Sequence, residues 1–165
     1  MVGSAGRHVR PTVFLEGFFL LFAAASVRDA DELALPMGAG KTSPVSSLDV
    51  ARAVAAILEH PAAHIGRIYN LTGPESVDLD HYARVFSEAL GRTIRYRDAP
   101  AAEFSEKLKQ AGLPEHVARH LTVMTELHKE QRYDRISGDY LELTGERPTS
   151  MGDFVKRHAA AFTRT

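Results

Sequence analysis

Along this chain the spacing of apolar positions switches between two periods, and the switches mark its elements. Val9 to Phe14 reads as a short strand, interrupted by Pro11, which a strand tolerates only at an edge or an end. Leu15 to Arg28 is apolar on nearly all sides, which predicts a helix that is buried or meets another subunit. Asp29 to Pro44 reads as a loop, with two prolines and two glycines. Val50, Val54, Ile57 and Leu58 recur at helical spacing and predict a helix from Ser46 or Ser47 to His60-Pro61, with Ser46 and Asp49 placed as a capping box. Arg67 to Thr72 predicts a strand closed by Gly73-Pro74. Leu79, Tyr82, Val85, Phe86 and Leu90 predict a second amphipathic helix, begun by Ser76 or Asp78 and stopped by Gly91. Thr93 to Arg97 alternates as a further strand. Beyond Pro100 the pattern is helical: Ala101 to Ala111, Pro114 to about Arg132, Ser137 to Leu143, and a last helix from Ser150 through Phe162. The order β-α-β-α-β followed by helices is an α/β plan with a helical end.

Composition narrows the classes. The 165 residues, 44% hydrophobic and 25% charged, suit one domain that buries a core without disulfides or metals. Lys and Arg total 20 against 21 Asp and Glu, a net charge of −1 without a basic face, which argues against nucleic acid. Without cysteine there is no disulfide, thiolate nucleophile or Cys-ligated metal. The apolar run from Val13 to Val27 is too short for a membrane span and carries Glu16. Ala23 to Ser26 is similar to a signal-peptide cleavage site, but cleavage there would remove a core element. The expectation is a cytoplasmic protein that crosses no membrane.

Motifs that carry chemistry are scarce. Gly38-Ala39-Gly40-Lys41-Thr42 fails as a phosphate loop, because Leu35 stands where the first Gly belongs and Pro44 blocks the helix that would follow. His116 and His120 share a helical face, with His128 two turns on, but Val117 replaces the Glu that a zinc protease needs, so no metal site is expected. No Tyr is followed by Lys four residues later, there is no Gly-x-Ser-x-Gly elbow, and the Gly-x-Gly-x-x-Gly dinucleotide turn is missing.

The order of several short segments nevertheless resembles a known family. Arg10-Pro11-Thr12-Val13-Phe14-Leu15-Glu16, Leu48-Asp49-Val50-Ala51, Tyr69-Asn70-Leu71-Thr72-Gly73-Pro74-Glu75, Leu90-Gly91-Arg92-Thr93-Ile94-Arg95-Tyr96, Leu143 to Pro148 and Asp153-Phe154-Val155 are similar, in order, to the NmrA-like family. Its members are NAD(P)-binding proteins of the atypical short-chain dehydrogenase/reductase branch. The resemblance implies a truncated Rossmann-like α/β fold: a flexible 1–8, then one C-terminal substrate-binding domain over 9–165. It also implies that complete members carry their glycine-rich loop upstream of the segment matching Arg10, and are either reductases of quinones, dyes or enones or redox-sensing regulators. Pro11 to Phe14 would then face the nicotinamide end. Where the family has Asn after the Glu, this chain has Gly17, which removes an amide from the pocket rim.

These readings lead to a first expectation of a small-molecule-binding protein without cofactor. It would be a cofactor-independent biosynthetic cyclase, isomerase or dehydratase acting on an apolar aromatic or polyketide-like compound. Candidate acids and bases are Asp49, His81, Glu16 and His128. Candidate substrate contacts are Pro11, Phe14, Phe18, Phe19, Met37, Ser46 and Met124. The alternatives are an NAD(P)H-dependent oxidoreductase whose cofactor half is supplied elsewhere, and a non-enzymatic dimerising module. A homodimer through Phe14 to Phe22 is expected, because that surface would otherwise lie bare.

Overall fold

Pro11 ends the first strand. In the computed structural model, which describes residues 6–164, β1 is His8–Pro11, and Phe14 makes only an isolated parallel bridge to Val45. The expected flexible 1–8 therefore lies mostly outside the described residues, and His8 is already in the strand. The apolar run then winds as a π-helix, Glu16–Ala23, before tightening into α1, Ala24–Ala30. Such a widened turn within a helix is uncommon and concentrates at functional sites.

The segment expected to be a loop contains β2, Glu32–Leu35. Its Glu-Leu-Ala-Leu lacks the β-branched residues that mark strands, and tertiary pairing makes it one. The helices and strands that follow are α2 (Ser47–Glu59), a 3-10 turn (Pro61–His64), β3 (Ile68–Leu71), α3 (Leu79–Leu90) and β4 (Arg95–Asp98). β1 pairs with β3, and β2 with β4, each as a two-stranded parallel sheet. The helical end comprises α4 (Ala101–Gln110), α5 (Glu115–Lys129), α6 (Asp139–Thr144), α7 (Met151–Arg157) and α8 (Ala159–Phe162). The single last helix expected from Ser150 to Phe162 is thus two, divided at His158. The result is an α/β fold of few short parallel strands and many helices.

The main core gathers Phe19, Phe86, Phe154 and Phe162 around Leu33 and Leu35, and a second cluster joins Ile57, Tyr69, Leu71 and Tyr140. On α2 the inward face differs from the expected stripe. Val54 and Leu58 are exposed, while Asp49, Ala53 and Ile57 face inward at i, i+4 and i+8. The polar Asp49 is admitted because its carboxylate is fully bonded, as described below. Among the described residues no helix is long and apolar enough to cross a membrane.

Two glycines fix the loop that leads from β2 to α2. A Cβ at Gly40 would lie 2.3 Å from the His128 carbonyl oxygen, and one at Gly73 would lie 2.2 Å from that of Pro44. Only a residue without a side chain lets these backbones touch. Gly40→Ala is expected to cost roughly 2–4 kcal/mol of unfolding free energy in urea titrations. Gly17→Ala, where a Cβ meets nothing within 4 Å, should stay within about 1 kcal/mol of wild type. Equal effects at the two positions would contradict this packing.

Candidate functional site

The chain leaving β1 is stitched to the loop before α2. Thr12 donates its N–H to the Leu71 carbonyl (2.9 Å) and its hydroxyl to that of Ser43 (2.6 Å). Val45 N–H donates to Val13 (2.9 Å), and Leu15 N–H donates back to Val45 (3.0 Å). Glu16 completes the seam. Ser47 N–H donates to both carboxylate oxygens at 3.1 and 3.0 Å, and the Ser46 hydroxyl donates to Oε1 at 3.1 Å. The expected Ser46–Asp49 capping box is therefore not closed within α2. Ser46 Oγ accepts from Leu48 N–H at 3.2 Å, and the carboxylate comes from another helix. Burial pushes the Glu16 carboxyl up, but the bonds from Ser47 and Ser46 outweigh it and hold its pKa below the ordinary value. A negative charge here also suits the positive end of α2.

Beside this seam the π-helix and α5 leave an apolar groove of about 390 Å³. Pro11 to Phe14 form its floor at the end of β1, and Gly17, Phe18 and Phe22 form one wall. Leu121 and Met124 of α5, with Tyr133 and Arg135 beyond it, form the other. The rings support one another: Phe22 is edge-on to Phe18 at 6.2 Å, and Tyr133 stacks on His128 at 4.2 Å with 13° between the planes. His128 donates from Nδ1 to the Met124 carbonyl at 2.7 Å, which fixes its tautomer, and its buried Nε2 meets no partner among the described residues. Burial pushes its pKa down, so the ring behind the wall is neutral.

The structure brings together Pro11, Phe14, Phe18 and Met124 among the expected substrate contacts. Phe19 and Met37 are in the core instead, and Ser46 is the buried cap of α2. The expected acids and bases do not converge. Glu16 is held at α2, and His128 lies beneath the groove wall. Asp49 is fully buried, accepting from Thr149 N–H (2.6 Å), the Thr149 hydroxyl (3.0 Å) and the Tyr140 hydroxyl (3.3 Å), which ties α2 to the segment before α7. His81, on α3, stands 3.5 Å from Glu75 and outside the groove lining. His116 and His120 are exposed while His128 is buried, so the three do not share one environment. Among the described residues no three His, Asp or Glu side chains gather as metal ligands.

Leu121, Tyr133 and Arg135 were not foreseen from sequence. Leu121 lies at i−3 from Met124 and i−7 from His128, so helical spacing on α5 was a usable signal. Tyr133 and Arg135 had none, because the chain turns at Gln131 in a left-handed conformation before reaching them. The surface expected to pair two copies is also smaller. Phe18 and Phe19 are buried, Leu20 and Phe22 are half-buried, and Phe14 and Leu21 of that stretch are exposed.

No dinucleotide cradle is present among the described residues. The close-approach glycines Gly40 and Gly73 are spent on chain packing, and the first turn after β1 presents the Glu16 carboxylate rather than free amides. These places therefore offer no cradle for the phosphates of NAD(P).

Residues 6–155 match the profile of the NmrA-like family. The NAD(P)H azoreductase of Xenophilus azovorans is 30% identical, over 97% of this chain and 55% of its own length. Quinone oxidoreductase 2 of Escherichia coli is 31% identical over 49% of this chain and 28% of its own length. The crystal structure of the NADPH-dependent quinone oxidoreductase of Escherichia coli complexed with NADPH shares the fold, with a TM-score of 0.78 at 23% identity over 91% of this chain and 52% of that one. The chain spans about half the length of the curated relatives it matches. These relatives overturn the expectation of cofactor-independent chemistry, since the resemblance is to enzymes that use NAD(P)H. The missing Gly-x-Gly-x-x-Gly turn is a single local signal, whereas the likeness to the family runs over residues 6–155.

The neutral His128 makes a pH prediction. Its native pKa lies below the unfolded value, so its share of stability is complete above about pH 6.5 and is lost as pH falls from there towards the native value. In urea titrations from pH 7 to 5, wild type should lose stability more steeply than His128→Phe. Parallel slopes would show that His128 is not held neutral.

Proposed function

This chain belongs to the NmrA-like family, and from that membership we propose that it is the acceptor-binding half of an NAD(P)H-dependent reductase of planar aromatic or quinone-like compounds. The observation that carries the reading is the place of the groove. It opens at the carboxyl end of the parallel strand β1, where open α/β sheets bind their ligands, and its lining is largely apolar and aromatic. The names of the azoreductase and the quinone oxidoreductase among its relatives support a flat, unsaturated acceptor. The dinucleotide is held by a second half, on the same polypeptide or another, whose contact with Phe14 and Leu21 would cover their exposed faces.

What these residues contribute is binding and shelter. Phe18 and Phe22 offer their rings and Tyr133 its edge to a flat acceptor, and the aliphatic side chains of Val13, Leu121 and Met124 exclude water from it. Gly17 leaves the space open. An amide or larger side chain there would project into the groove, which is the chemical meaning of the family's Asn being Gly here.

Gly17→Leu tests the groove without threatening the fold, because a Cβ there meets nothing within 4 Å and replacing a helical glycine is neutral or stabilising. By calorimetry the variant should bind menadione at least about tenfold more weakly than wild type, with an unchanged or raised urea midpoint. Equal affinity would place the acceptor elsewhere. NADPH-dependent reduction of menadione should require a dinucleotide-binding half, and turnover by the 165-residue chain alone would contradict the division of labour.

A further inference from the structure

The groove carries a single charge. Arg135 is the one ionised side chain among the residues that line it, and no carboxylate accompanies it there. Arg28, Arg67, Arg92 and Arg97 each pair with an acidic partner, whereas Arg135, like the exposed Arg84 and Arg119, has none among the described residues; its place in the groove lining sets it apart. Its backbone is anchored, and its side chain is exposed. The Arg135 carbonyl accepts from the Ser43 hydroxyl at 2.7 Å, and its N–H donates to the Tyr133 carbonyl at 3.0 Å. Its guanidinium carbon lies 5.5 Å from the centroid of the Tyr133 ring, which is itself stacked on His128.

A cation held over an aromatic face keeps its in-plane N–H donors free, and those donors match the paired oxygens of a carboxylate or sulfonate. An anion at the mouth of the groove would thus meet free N–H donors on an exposed guanidinium, in a pair that solvent and salt screen. A cationic acceptor would meet repulsion with no carboxylate to offset it.

We propose that the groove selects aromatic acceptors bearing an anionic ring substituent, a sulfonate or carboxylate, with Arg135 as the specificity-determining residue. This rests on the groove being the acceptor site. Arg135 receives the anionic group while the ring system lies against Phe18, Phe22 and the edge of Tyr133.

Calorimetric titration of the chain with anthraquinone sulfonate and with neutral hydroxymethyl anthraquinone separates charge from ring. Wild type should bind the sulfonate about three- to tenfold tighter at low ionic strength, and added salt should shrink the difference. Arg135→Gln should erase the preference, so that the two compounds bind alike, and Arg135→Lys should restore part of it. Equal binding of the two compounds by wild type, or a preference that survives in Arg135→Gln, would overturn the role of Arg135 and leave the groove reading intact. Failure of both compounds to bind would instead overturn the groove as an acceptor site, and this inference with it.

Discussion

The Glu16 carboxylate at the amino end of α2 is the constraint on which the site depends. It satisfies the Ser47 amide and the Ser46 hydroxyl at once, and so joins the start of the π-helix to the start of α2. Together with the paired bonds between Val13, Leu15 and Val45 it sets the direction in which the chain leaves β1. Pro11 to Phe14 are thereby laid open as a floor, and Phe18 and Phe22 are turned to face α5.

The polar residues with the most obvious chemical potential serve this scaffold. Asp49 joins α2 to the approach of α7, Glu16 joins two helix starts, and His128 backs the wall of the groove. A buried carboxylate with three donors is fully occupied, and a buried neutral imidazole bonded to its own helix supports a ring without meeting substrate. The groove is mostly hydrocarbon and aromatic, with Arg135 its one charged member. That division agrees with a reductase half, in which the cofactor brings the reducing chemistry and the protein supplies shape, dryness and orientation.

Much of the fold was legible along the chain, because its signals are local. Ser46 and Asp78 begin their helices as N-caps, and Gly91 and Gly145 end theirs in left-handed conformations. β2 was not legible, since its four residues become a strand only through β4, which follows it by 63 positions along the register. The inward face of α2 was misread for a similar reason: Asp49 and Ala53 are buried by partners from Tyr140 and Thr149, not by their own hydrophobicity. Within the site, the resemblance of the Arg10 to Glu16 segment located the groove floor, and helix spacing could have added Leu121. Tyr133 and Arg135 reach the groove through a turn whose course no periodicity reports.

The most direct measurement is a map of backbone amide shifts as menadione is added to the isotopically labelled chain. Perturbations should concentrate on Thr12 to Phe22, Leu121 to Met124 and Tyr133 to Arg135, leaving the α2–α6 face and the His64–Tyr69 surface undisturbed. Shifts centred on that opposite face, or spread evenly over the molecule, would contradict the assignment of the groove as the acceptor site.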